Sequence, residues 1–125
     1  MRLKALILST AAAPERTLKV RLCDTFFSKM RGLMFTSTLP DDSGILLADK
    51  AESRLNTAIH MFFMRFDITV LWLDKNQIVV DKALAKRWRP LYIPKQPAQY
   101  VIELHRNRYD DYTIGYKIAW EENVV

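Results

Sequence analysis

The stretch from Ile59 to Asp74, IHMFFMRFDITVLWLD, constrains the fold of this chain more than any other. Eleven of its sixteen side chains are apolar, yet His60, Arg65, Asp67 and Asp74 are spread among them. A run this apolar belongs in the interior of a small domain, where charge is costly unless it is paired or hydrogen-bonded. Any binding or catalytic site is therefore expected around these few polar groups.

At 125 residues the chain fits one domain, residues 1–125, because two halves would each be too small to bury an adequate core. Half of the residues are apolar and 26% are charged, a balance that excludes a disordered chain. The three glycines, Gly32, Gly44 and Gly115, form no phosphate-binding loop, which excludes nucleotide binding by that route. A single cysteine, Cys23, excludes an internal disulfide and a cysteine-rich zinc site. It reads as a small, partly buried filler. The methionines read as core filler too, and neither a metal nor a cofactor is assigned.

Strand signals dominate. Leu3–Ser9 and Thr17–Cys23 are short apolar runs, and Ile45–Ala48, Ile78–Asp81 and Tyr100–His105 follow the same pattern. Asn56–Phe66 and Ile68–Asp74 read as one long strand or as two strands broken near Phe66. Asp74 to Gln77 is then a hairpin turn. A short helix is expected over Thr25–Arg31, capped by Asp24 or Thr25 and stopped at Gly32, with one further helical turn in Arg106–Tyr112. Pro90, Pro94 and Pro97 make residues 83–99 loop-like. A last strand is expected over Thr113–Trp120. The pattern predicts an α+β domain, mainly antiparallel β, compact and barrel-like, with one or two short helices. Strand parity predicts a shared core of Leu33, Phe62, Met64, Val70, Ile102 and Leu104.

Nineteen basic against fourteen acidic residues give a net charge of +5, concentrated in Lys86-Arg87-Trp88-Arg89 and His105-Arg106-Asn107-Arg108-Tyr109. Basic residues beside aromatics suit single-stranded nucleic acid, but no recognition helix or RNA-binding signature accompanies them. The first residues imitate a signal peptide. Their apolar core is short, however, and Pro14 follows the Ala11-Ala12-Ala13 run directly, so retention in the cytoplasm is the reading. No apolar run reaches transmembrane length.

Four pieces in order carry a family resemblance: Arg31-Gly32-Leu33-Met34, Ile59 to Phe66, Val70-Leu71-Trp72-Leu73-Asp74, and Trp88-Arg89 before Tyr100-Val101-Ile102-Glu103-Leu104. Over about Thr17 to Trp120 the chain resembles the bacterial and archaeal family known as domain of unknown function 192. The resemblance implies a mainly β single domain and brings no activity with it. The sequence departs from the family pattern at Asp67-Ile68-Thr69, where the family has Pro-Ile-Asp, and at Gly115-Tyr116, where it has Gly-Asp.

Arg65 leads the candidate residues. An arginine in an apolar wall either pairs with Asp67 or Glu103 or is held ready for the carboxylate or phosphate of a ligand. Trp88 and Arg89 lie in a Pro-rich segment able to fold over it. This places Arg65 at a pocket with His60, Asp67, Trp88 and Arg89. Glu103 and His105 share a strand face, expected to be exposed to solvent. The leading reading is a non-enzymatic domain binding a small anionic ligand or a protein partner through Arg65, His60, Asp67, Trp88, Arg89 and Glu103. The alternatives are a small hydrolase or isomerase using His60 with Asp67 or Glu103, and nucleic-acid association through residues 86–89 and 105–109.

Overall fold

A computed structural model describes residues 5–11, 17–23, 32–34 and 36–122. The helix expected over Thr25–Arg31 lies outside the described residues. Among the described residues, seven strands build one sheet: β1 Ala5–Ser9, β2 Leu18–Cys23, β3 Ser43–Ser53, β4 Ile68–Leu73, β5 Val79–Ala85, β6 Ala98–His105 and β7 Ala119–Glu122. Their spatial order is β5-β4-β6-β3-β2-β1-β7. Every pairing is antiparallel except β2 with β3. The one helical element among the described residues is a 3₁₀ helix, Arg106–Asp111, where the sequence predicts a helical turn. None of the described helices is long and apolar enough to cross a membrane.

The fold is therefore mostly β, and the barrel expectation needs correction. The sheet stays open, with β5 and β7 as its edges. Among the described residues those edges meet at one end, through the bridge between Ile78 and Lys117 and bonds such as Val79 N to Tyr116 O at 2.8 Å. Asp74 forms the β4–β5 turn as expected, its Oδ1 accepting from Asn76 N and Ile78 N at 2.9 and 3.0 Å.

Strand β4 and the adjoining parts of β3 and β6 are buried on both faces. All six residues of β4 are buried, with Ile68, Val70 and Trp72 in one core and Leu71 and Leu73 in another. On β3 and β6, Ile45, Leu47 and Val101 join the first core, whereas Leu46, Ile102 and Leu104 join the second. The predicted single core is thus divided. Leu33, Met64 and Val70 lie on one side of the sheet and Ile102 and Leu104 on the other. Phe62 belongs to neither and is 41% exposed.

Its exposure follows from a second correction: residues 56–66 are a covering loop, not a strand. This loop lies against the first core and satisfies its backbone through distant partners, as any buried segment must. Trp72 Nε1 donates to Thr57 O at 2.8 Å. Ile59 and Tyr92 exchange two backbone bonds of 2.9 and 2.8 Å, and Met61 does the same with Trp88 and Arg89 at 2.7 and 3.0 Å. Without strand pairing, the alternation of side chains that placed Phe62 inward has no basis.

Gly44 lets β3 approach β6. A Cβ there would run into the carbonyl oxygen of Glu103 and lie 2.6 Å from Leu104 Cδ2. Gly44→Ala is expected to cost about 1–3 kcal/mol, because backbone cannot yield as a side chain can. Ile102→Ala is expected to cost about 2–5 kcal/mol. Phe62→Ala should stay within about 0.5 kcal/mol. Urea denaturation of the three variants checks the order.

Candidate functional site

A cavity of about 390 Å³ opens between the first-core face of the sheet and the covering loop. Leu47 and Asp49 of β3 and Val101 and Glu103 of β6 form its sheet wall. Asn56 to His60, Met64 and residues 32–34 form the opposite side. Most of this lining is apolar. The polar groups that converge on it are Asp49, Asn56, Thr57, His60 and Glu103.

Glu103 is the chemically distinctive member. It is buried, with 7% of its surface exposed, and its cross-strand neighbours are Ile45 on β3 and Val70 on β4. Both are apolar and buried, so water is excluded on either side along the sheet. Burial pushes the carboxyl from its ordinary 4.5 up to about 7. No hydrogen bond or ion pair of the described residues engages its side chain, and the residue lines the cavity. The expectation that this strand face is exposed to solvent is overturned. The covering loop and the Leu33 segment roof it over.

His60 stands at the rim, exposed, on the loop anchored through Thr57 and Ile59. Its Nδ1 accepts from Phe62 N at 3.2 Å, so the neutral ring carries its proton on Nε2. Its ring lies 5.5 Å from that of Phe62.

The other predicted site residues lie elsewhere. Asp67 borders a second hollow of about 330 Å³ with Ser37, Thr38, Leu39, Phe66, His105 and Arg106. There its Oδ1 accepts from Arg87 N at 2.9 Å, with Lys86 Nζ 3.7 Å from Oδ2. Arg65 is exposed and donates to Ser37 Oγ at 3.3 Å. The premise that it sits in an apolar wall fails because the covering loop turns it outward. Trp88 and Arg89 are exposed and line neither hollow. The structure thus brings His60 and Glu103 to one cavity and leaves Arg65, Asp67, Trp88 and Arg89 outside it. Asp49, Asn56 and Thr57 are cavity groups that the sequence reading passes over. Among the described residues, no group of three or more His, Cys, Asp and Glu side chains is placed to hold a metal ion.

Of the two basic clusters, residues 105–109 are partly engaged by carboxylates where they stand. His105 Nε2 lies 3.2 Å from Asp41 Oδ1, and Arg108 Nη1 lies 3.2 Å from Asp111 Oδ2.

Comparison with known proteins gives a family match over residues 7–120, to domain of unknown function 192, described as Uncharacterized ACR. A UPF0127 protein of Thermococcus kodakarensis is 49% identical over 85 residues, 68% of this chain and 52% of that protein. The aligned part thus spans about half the length of this relative and of one from Thermococcus gammatolerans. A UPF0127 protein of Pyrococcus furiosus is 31% identical over 120 residues, which are 94% of this chain and 100% of that one. A crystal structure from Sinorhizobium meliloti, described as a "putative transcription regulator", superposes with a TM-score of 0.80 at 18% identity, covering 95% of this chain and 94% of its own. A protein of unknown function from Novosphingobium aromaticivorans does so at 0.75 and 16% identity, covering 94% and 85%. At these identities the two structures show a shared fold.

The raised Glu103 pKa has a stability consequence of definite sign. Between about pH 4.5 and 7 the unfolded chain releases the proton that the folded chain keeps, so stability falls as pH rises through that window. The loss is on the order of 3 kcal/mol at this site. Glu103→Gln should flatten that part of the profile and be more stable than the parent above pH 7. Denaturation at several pH values measures it.

Proposed function

The chain belongs to the domain-of-unknown-function 192 family, whose description carries no activity, and from its cavity we propose a binding domain for a small, largely apolar molecule bearing one hydrogen-bond donor or cationic group. The observation that carries this reading is Glu103. Its carboxyl lies between Ile45 and Val70, lacks a donor among the described residues, and borders a cavity of small-molecule size. The fold does not need a carboxyl there, since an apolar side chain of similar volume would avoid the desolvation. A ligand's N–H or ammonium would supply the missing partner, and the apolar lining would take the rest of the molecule. An anionic ligand is less well matched. The described lining carries Asp49 and Glu103 and neither lysine nor arginine, and the case for an anion rested on Arg65.

One observation favours a second reading, an enzyme that moves a proton on a molecule held in the same cavity. A carboxyl with a pKa of about 7 can both give and take a proton near neutrality, and His60 borders the same space. Of the two pairings raised by the sequence, His60 with Glu103 is the one that shares a cavity. Nucleic-acid association has less support, because Asp111 stands against Arg108 in the second of the two clusters it would use.

Thermal shift and crystal soaks with short-chain amines, alcohols and carboxylates test the proposal. Amines or alcohols should raise the melting temperature and appear in density against Glu103. Glu103→Gln should weaken amine binding about tenfold or more, as loss of a charge-assisted hydrogen bond does. Ala58→Trp should fill the cavity and abolish binding in a chain that still folds. A folded protein with no density for any class in this cavity overturns the reading.

A further inference from the structure

The two segments that meet at the Met61 backbone bonds display a surface that the cavity does not use. Phe62, Phe63, Trp88, Leu91 and Ile93 are five of the seven exposed large apolar residues among those described, so such exposure is concentrated here. The segments that carry them are held together. The Phe63 and Trp88 rings meet edge-on at 5.2 Å. Trp88 N donates to Met61 O at 2.7 Å, and the Ile59–Tyr92 bridge fixes Leu91 and Ile93 alongside.

Backbone geometry places these rings at some cost. Phe63 has φ 62° and Trp88 has φ 67°, a region that bulky side chains rarely adopt and that glycine or asparagine would occupy with less strain. Aromatic side chains contribute most to stability when buried. Two of them, strained and left 46% and 54% exposed, are not what stability alone favours.

Charge indicates the partner. Arg65, Lys86, Arg87 and Arg89 arise from the same two segments, against the single carboxylate Asp67, which already has Lys86 and Arg87 within 4 Å. A second copy docked by the same patch would set these cations against their own kind. Neither of these two hollows is lined by any of the five apolar residues, so docking through the patch uses no socket of theirs. A fluid anionic surface needs none. Aromatic and aliphatic side chains at turn tips enter the headgroup layer while arginine and lysine meet phosphates.

We propose that this patch docks the chain on the anionic headgroup surface of a lipid bilayer. Phe62, Phe63, Trp88 and Leu91 enter the interfacial layer, and Arg65, Lys86, Arg87 and Arg89 contact lipid phosphates. The contact is peripheral and independent of what the cavity holds.

Co-sedimentation of the full chain with vesicles of phosphatidylcholine alone, or mixed equally with phosphatidylglycerol, tests it. Binding is expected to the mixed vesicles only and should weaken as salt is raised. A Phe63→Asn/Trp88→Asn double variant keeps residues that tolerate positive φ and removes both rings. It should bind about tenfold less or weaker still, with a melting temperature unchanged or raised. Failure to bind either vesicle, equal binding to the neutral vesicle, or undiminished binding by the folded double variant overturns the proposal. So does capture by polyglutamate or single-stranded DNA without vesicle binding.

Discussion

Burial on both faces of β4, and of residues 44–47 of β3 and 101–104 of β6 beside it, is the constraint from which the rest follows. A sheet with one wet face can place its polar side chains there, but these segments have no such face. Each polar group on them has to find a partner or border a cavity. Thr69 finds two carbonyls, those of His105 and Arg106, at 3.0 and 3.2 Å. Trp72 uses the carbonyl of Thr57 and in doing so pins the covering loop to the sheet. Glu103 borders the cavity, and its position between Ile45 and Val70 gives it an acidity unlike that of an ordinary glutamate.

Much of the strand pattern was legible in the residues. The Asp74 hairpin, the alternation along Tyr100–His105 and the helical turn after it depend on local chemistry, which a sequence displays. The covering loop was not legible. Apolar residues at 59–66 report burial without saying whether the backbone pairs with a strand, and its actual partners, Trp72, Trp88, Arg89 and Tyr92, are distant in sequence. Phe63 and Trp88 carry positive φ without the glycine that would announce it. These two misreadings sent Phe62 inward and gave Arg65 an apolar wall.

The burial of Glu103 had a signal that parity alone missed. Ile68 to Leu73 is continuously apolar rather than alternating, the mark of a strand covered on both sides. A neighbour of such a strand shares its cover, so a carboxylate on either face of Tyr100–His105 is enclosed. His60 was found because it stands in the apolar run itself. Asp49, Asn56 and Thr57 lie outside that run and reach the cavity only through the fold.

The pairing of β1 with β7 bears on how the chain is made. Ser9 lies opposite Ala119 and Leu6 opposite Glu122, so this contact closes across more than a hundred residues. On the ribosome, β2 can offer its antiparallel partner to β1 early, but one edge of β1 stays open until residue 122 has left the exit tunnel. Until then a nascent chain carries an unpaired apolar strand edge, the kind of surface that chaperones and neighbouring nascent chains find first.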